Sequence, residues 1–234
     1  MKGRVREGKP TYATDSTGEE QRTIAADITV IRAAVRKDLH DDPADRWTDT
    51  VLDRHIARAA LEYSLHAPRE QKDTLATVAA SRDVSLSTLT GRIAVEAVEW
   101  PTGEFPPRRV GFTLWQDTLT MDVVSAPGGV ENVNVFWTKT HTLDGSTSTV
   151  PAPHDDLIAA GAAAYAALDW TSFASNRINT GGDDVWGRYR SFADERLGYF
   201  RAELARIARN NTVRQRRMYT TDAPSIFEQD RVKY

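Results

Sequence analysis

The sequence predicts an α+β protein: a bundle of about four helices, an antiparallel β module inserted between the second and third helices, and an extended C-terminal arm. Three observations support this prediction. Apolar residues recur at helical spacing near the start of the chain and again over residues 183–209. Between these regions, short segments alternate between apolar and polar residues with a period of two. Residues 156–175 are apolar almost all the way round a helix.

The central apolar segment, residues 156–175, has no wide polar face to give to water. Between Leu157 and Trp170 only Gly161 and Asp169 interrupt the apolar run. This run is shorter than the roughly 20 apolar residues that a membrane span needs. We therefore expect an enclosed helix, either at the centre of this chain or packed against a second copy in an oligomer. The residues predicted to pack subunits together are Leu157, Gly161, Ala164, Tyr165 and Leu168.

The amino-acid composition is that of an ordinary globular protein, and it excludes several kinds of functional site. Hydrophobic residues make up 40% and charged residues 27% of the 234 residues. The net charge of −3 argues against a general nucleic-acid binder. The absence of cysteine excludes disulfides, thiol catalysis and cysteine-bound zinc. Basic residues near the N-terminus have no apolar stretch behind them, so we expect no secretory signal, no membrane association, and assembly in a cytoplasm.

The first 70 residues predict a flexible arm followed by two helices. Residues 1–18 are polar and glycine-rich, with too little apolar surface to offset the entropy lost on ordering. The next helix is amphipathic, and its apolar stripe comprises Ile24, Ile28, Ile31, Val35 and Leu39. Thr48 is placed to cap the second helix and Trp47 to pack on Leu52, while Pro68 stops that helix.

The β module is predicted over residues 71–140. Its strands are expected at residues 74–79, 83–86, 93–100, 109–114, 118–124 and 132–137, each bounded by turn residues. Val110, Phe112 and Leu114 share one face of their strand, which predicts an aliphatic and aromatic core. A polar linker, residues 141–153, leads from the module to the central helix.

The helical body is predicted to comprise residues 19–70 and 154–209, with a C-terminal arm over residues 210–234. Arginines cluster around this boundary, and Arg206 and Arg209 suit the negative end of the last helix dipole. The later arginines need another explanation. Either they belong to an arm that docks on a partner and orders on contact, or they belong to a disordered tail. The residues predicted to bind the partner are Arg214, Arg216, Arg217, Met218, Tyr219, Ile226, Phe227 and Tyr234.

Candidate catalytic and metal-binding groups do not converge in the sequence. Glu62 and His66 are one helical turn apart, and a solvated helix face that also includes His55 explains them better than a metal site. Asp155 and Asp156 suit the positive end of the central helix. Glu96 and Glu99 fall on opposite faces of a strand, as edge-strand or interface charges would.

No phosphate-binding glycine loop, nucleophile elbow or metalloprotease motif is present. We therefore predict that the protein is not an enzyme, with no catalytic residues, no cofactor and no metal.

Three segments of the chain resemble a known family. The first comprises Trp47, Thr48, Asp49, Leu52, Asp53, Ile56, Ala59, Tyr63, Ser64, Pro68 and Arg69. The second comprises residues 98–103 with Pro106, Pro107 and Arg108, and the third comprises residues 148–151 with Asp156, Leu157 and residues 161–168. Together they lie within residues 24–209 and resemble the head-to-tail adaptor proteins, also called connector or head-completion proteins, of tailed bacteriophages.

The resemblance implies a structural virion protein in the neck of the particle. Such adaptors form a homo-oligomeric ring, usually of about twelve copies, beneath the portal protein. They present the next surface to a tail-side stopper or tail protein, while genomic DNA passes through their channel without specific binding. Family C-terminal arms commonly reach the portal, which implies a portal-docking role for residues 210–234. Compact members are mostly helical, whereas this chain carries an additional β module.

Two other functions are compatible with the residues. A glycan-binding or glycan-cleaving protein would use exposed aromatic rings of the β module, and its candidates are Trp100, Trp115 and Trp137. A DNA-packaging accessory protein would use the arginines between residues 206 and 217, and its DNA binding would depend steeply on salt.

Overall fold

The computed structural model describes residues 27–174 and 185–215 of the chain. Within these ranges the protein forms four α-helices and six β-strands, which confirms the predicted α+β class. In chain order the elements are α1 (Ile28–Leu39), α2 (Asp49–His66), β1 (Arg69–Ala76), β2 (Asp83–Ser85), β3 (Arg92–Glu99), β4 (Arg109–Trp115), β5 (Thr118–Asp122), β6 (Asn132–Lys139), a 3-10 turn (Ala152–His154), α3 (Asp155–Ala174) and α4 (Val185–Gln215).

The first helix begins at Ile28 because the residue before it acts as its cap. Asp27 is extended, and its carboxylate accepts hydrogen bonds from the backbone N–H groups of Thr29 and Val30 at 2.9 and 3.0 Å. Ile24, the first member of the predicted apolar stripe, lies outside the described residues. The stripe members Ile31, Val35 and Leu39 are buried, so α1 uses the predicted face.

A buried carboxylate fixes the turn between α1 and α2. Asp41 accepts hydrogen bonds from the backbone N–H groups of Arg46 and Trp47 at 3.1 and 3.2 Å, and the Arg36 guanidinium lies 3.3 Å from it. Helix α2 then starts after Thr48, as predicted, although the Thr48 side chain makes no capping hydrogen bond. Trp47 shares a core with Leu52, and its ring lies 5.5 Å from that of Trp170, so it also joins α2 to α3.

Helix α3 is the centre of the helical body. It packs against α4, α2 and α1, and its residues from Leu157 to Ala167 are buried. Its small residues let α4 come close, since a Cβ atom added at Gly161 would lie 2.8 Å from the Phe200 ring. The enclosure expected for an all-apolar helix is therefore provided by the chain itself. None of the helices within the described ranges is long and apolar enough to cross a membrane.

The six strands form one antiparallel sheet in the order β1-β6-β3-β4-β5-β2. Strands β3 and β4 pair only at Val98 with Val110 and at Glu99 with Arg109, and β3 has register shifts along its pairing with β6. Such irregularities bend a sheet, and this sheet curls around a second core. That core contains Val84, Leu86, Leu89, Val98, Leu119, Met121, Val133, Val135 and Trp137.

Two details of the predicted β module are wrong. Strand β1 begins at Arg69 rather than near residue 74, because its first residues are polar on both faces of an edge strand and show no apolar alternation. Strand β3 is not an edge strand, since β6 and β4 flank it. Glu99 is therefore buried, and its charge is compensated by Arg109 at 3.6 Å, whereas Glu96 is exposed.

The helical body and the sheet have separate cores and meet at a polar junction. The backbone N–H of His141 donates to the Ser64 hydroxyl at 3.0 Å. The ring nitrogens of His141 lie 2.7 Å from the carbonyl oxygen of Thr149 and 2.9 Å from that of Ala67. Next to it, burial raises the pKa of the Tyr63 hydroxyl to about 12, and this hydroxyl lies 2.6 Å from Nδ1 of His154. The junction therefore ties the end of α2 to both ends of the linker.

The last helix is longer than predicted. It continues past Arg209 to Gln215, so residues 210–215 of the predicted arm belong to α4. The change in composition beyond Asn210 predicted an end there, but asparagine and threonine each lower helix propensity by less than about 1 kcal/mol. Extending an existing helix needs no new nucleus. The arms predicted over residues 1–18 and 216–234 lie outside the described residues.

Substitution of Gly161 by alanine tests the close packing of α3 on α4. Alanine favours a helix by about 1 kcal/mol over glycine, but here its methyl group would overlap the buried Phe200 ring. We expect Gly161→Ala to lower the free energy of unfolding by about 1–2 kcal/mol in urea denaturation.

Gly198→Ala is the matched control. Gly198 is an exposed position of α4, and an added Cβ atom there meets nothing within 4 Å. The same exchange should therefore stabilise the protein by up to about 1 kcal/mol. Equal effects at the two positions would contradict the packing described for Gly161.

Candidate functional site

The predicted partner-binding arm lies almost entirely beyond the described residues. Arg214 belongs to the end of α4. The remaining residues predicted to bind the partner, which lie outside the described ranges, are Arg216, Arg217, Met218, Tyr219, Ile226, Phe227 and Tyr234.

The residues predicted to pack subunits together are covered by their own chain. Leu157, Gly161, Ala164 and Tyr165 are buried in the helical body, and Leu168 is half-buried. The Phe200 ring of α4 stands edge-on to the Tyr165 ring at 6.5 Å. The contact between subunits through these residues stays a prediction.

A different surface, on α2, has the features of a docking site. Five exposed residues, Arg54, Ala57, Arg58, Leu61 and Leu65, fall within one narrow arc of the helix, since their separations are close to whole turns. We call them the α2 face. Leu61 and Leu65 are 52% and 61% exposed, although they are large apolar side chains on a well-packed helix. The opposite side of α2 buries Leu52, Ile56 and Tyr63, so this helix is apolar on two sides.

A groove of about 450 Å³ runs beside the α2 face, between α2 and α3. Arginine, tyrosine and leucine side chains supply much of its wall. The residues that line it are Arg54, His55, Arg58, Tyr165, Leu168, Asp169 and Ser172. The groove and the α2 face share Arg54 and Arg58, so they form one continuous surface.

The charges of the groove are only partly matched. Arg54 lies 2.9 Å from the Asp169 carboxylate, which is also 3.6 Å from Nε2 of His55. The Arg58 guanidinium instead stacks 4.0 Å from the centre of the Tyr165 ring. The Tyr165 hydroxyl donates to Glu62, and Arg201 of α4 lies 3.5 Å from the same carboxylate. Among the described residues, no carboxylate pairs with Arg58, so the surface carries an excess positive charge.

The environment of the groove disfavours the charged form of its histidine, His55. Burial lowers the pKa of His55, the neighbouring Arg54 lowers it further, and Asp169 opposes both effects. The predicted solvated helix face is therefore wrong for His55, which is only 4% exposed. His55 lies on the side of α2 that faces α3. The spacing of apolar residues in the sequence does not show that a polar residue at this position is covered by another helix.

Metal binding has no candidate cluster in the part of the chain that the structure describes. No group of three His, Asp or Glu side chains within residues 27–174 and 185–215 is placed to hold a metal ion. Asp155 and Asp156 lie in the first turn of α3, where the helix dipole favours them. An uncovered apolar stripe beside arginine and tyrosine instead has the composition of a protein interface.

The three tryptophans considered for glycan binding differ in exposure. Trp137 is buried, and its ring N–H donates to Asp73 at 2.6 Å. Trp100 is half-buried against the sheet core. Trp115, at the end of β4, is 80% exposed. Of these three, Trp115 alone presents an open ring.

The α2 face was not predicted from the sequence. The apolar period of α2 is satisfied by Leu52, Ile56 and Tyr63, and this pattern conceals a second, shorter stripe on the other side. The available signal was Leu61 and Leu65, two leucines four residues apart at positions where the helical period calls for polar side chains.

No family model and no curated protein matches this chain.

Three buried or half-buried histidines predict that acid destabilises the fold. Burial lowers the pKa values of His55, His141 and His154 below 6.5 in the folded chain. The unfolded chain therefore binds more protons as the pH falls through about 6.5, and stability is lost toward pH 5. Each extra proton bound on unfolding lowers stability by about 1.4 kcal/mol per pH unit. Urea denaturation at several pH values measures this slope.

His55→Asn should make that slope shallower, because one of the contributing groups is removed. The comparison concerns the pH dependence, not the absolute stability, which the substitution also changes. Identical slopes for the variant and the parent would show that His55 does not resist protonation in the folded state.

Proposed function

We propose that this protein is a head-to-tail adaptor of a tailed bacteriophage. It is a structural component of the virion neck, assembled in the host cytoplasm, and it has no enzymatic role. Copies form a ring under the portal protein, connect the capsid to a tail-side stopper or tail protein, and continue the channel through which genomic DNA passes.

The α2 face is the observation that best supports an assembly role. Leu61 and Leu65 are large, apolar and exposed, with Arg54 and Arg58 beside them. A ring of copies needs two different surfaces on each subunit, one of which receives the other. The α2 face with its groove is a suitable receiving surface, because arginine and tyrosine are enriched among the residues that dominate binding energy at interfaces, and the two leucines add exposed apolar area beside them.

The residues of α2 that resemble the adaptor family have a structural role in this fold. Leu52, Ile56, Ala59 and Tyr63 are buried in the core of the helical body. The resemblance therefore concerns the packing of a helical body, which is the part of an adaptor that would form the ring. The β module has its own core and is attached through the junction, so it is suited to contact a second partner without disturbing the ring.

The electrostatics are compatible with passing DNA. The chain has a net charge of −3, so its average interaction with phosphate is repulsive at pH 7. Arg206, one of the arginines considered for DNA binding, lies 2.7 Å from Glu203 and is partly neutralised.

One observation supports the alternative role in glycan binding. The ring of Trp115 is exposed and could stack on a sugar.

Removal of residues 216–234 tests the portal-docking arm. Because α4 extends to Gln215, the truncation must follow that residue so that the helix stays complete. We expect the shortened chain to retain its melting temperature and to stop co-sedimenting with rings of the cognate portal protein.

The matched control is removal of residues 1–18, a segment of similar length at the other terminus. This variant should still co-sediment with portal rings. If the chain that ends at Gln215 also remains bound, residues 216–234 are not the portal-docking arm.

A further inference from the structure

The α2 face leaves two features of the described structure unmatched. Leu61 and Leu65 form an apolar stripe that the described residues leave more than half exposed. Arg58, stacked on Tyr165, has no carboxylate partner among the described residues. A segment that covered this surface would therefore need large apolar side chains with acidic residues close to them.

The sequence beyond α4 contains such a segment. Residues 222–230 read DAPSIFEQD and carry three acids with no basic residue. Ile226 and Phe227 stand between those acids. The basic residues that flank the segment, Arg216 and Arg217 before it and Arg231 and Lys233 after it, would be repelled by the α2 face. Charge and apolar character therefore select residues 222–230, not the whole arm.

This segment can reach the α2 face of its own chain. Helices α2 and α4 run in the same direction, since Arg46 before α2 contacts Tyr189 near the start of α4, and Glu62 late in α2 contacts Arg201 further along α4. Gln215 lies 14 residues past Arg201, so it stands about 21 Å beyond the level of Glu62, which lies between Leu61 and Leu65 on α2. The 11 residues from Gln215 to Ile226 span up to about 36 Å when extended.

We infer that residues 222–230 form a strap that binds the α2 face of the same chain, with Ile226 and Phe227 on Leu61 and Leu65 and the acids beside Arg54 and Arg58. The contact area of nine residues is small compared with a stable interface, which buries about 800 Å² on each partner. The strap holds because tethering gives it a high effective concentration. It is consequently displaced when a stronger partner takes up Ile226 and Phe227, and the α2 face is then free for assembly.

This inference concerns the isolated chain and does not depend on the proposed location in a virion neck. In the neck, the portal protein would compete with the α2 face for Ile226 and Phe227. Portal docking would then uncover the α2 face, so that copies associate where a portal is present.

The strap is testable by thiol protection, because the chain has no cysteine of its own. Ala57→Cys places one thiol on the α2 face, and its rate of reaction with a maleimide reports how well that face is covered. In the full-length chain we expect the rate to rise about fivefold when Ile226→Ser and Phe227→Ser are added. High salt should also raise it, since the acids and arginines are then screened.

Ala33→Cys, on the exposed side of α1, is the matched control, and its rate should not respond to Ile226→Ser and Phe227→Ser. Equal rates for the Ala57→Cys thiol with and without the two serines would overturn the strap. Protection that grows with protein concentration would instead show that a second copy covers the face, and would overturn the assignment to the same chain. No portal protein is used, so either failure leaves the neck assignment untouched.

Discussion

The structure depends on covering one helix that has no polar side. Helix α3 is apolar all round and rich in alanine, so it cannot lie at a surface without exposing a large apolar area. Its small side chains leave little volume to fill, and the covering helices must therefore come close. At Gly161 the Phe200 ring of α4 occupies the space that a side chain would take. Helices α1 and α2 complete the enclosure.

The enclosure of α3 explains why the exposed leucines of the α2 face indicate a docking surface. A helix that covers a central helix needs one apolar side, and α2 supplies it through Ile56 and Tyr63. Its second stripe, Leu61 and Leu65, contributes nothing to that enclosure. A second apolar side that the described fold does not use indicates a contact with another segment or another protein. If a tethered segment of the chain covers this side first and a partner protein replaces it later, assembly depends on binding of the partner.

The sequence predicted elements wherever a local pattern determined them. The burial of α3, the start of α2 after Thr48 and the presence of six strands follow from periodicity and turn residues. The failures depend on contacts distant in sequence. His55 is covered by α3, Glu99 lies on an interior strand, and both look polar and exposed in isolation. The α2 face was not predicted because Leu52, Ile56 and Tyr63 already give α2 one complete apolar stripe.

The measurement that tests the central proposal most directly is quantitative mass spectrometry of gradient-purified tailed particles from the source lysate. The chain is counted against the major capsid protein. A neck ring predicts about twelve copies in each particle, with the chain retained through the gradient. Absence from the particles, or a copy number that varies freely between preparations, would contradict a ring under the portal.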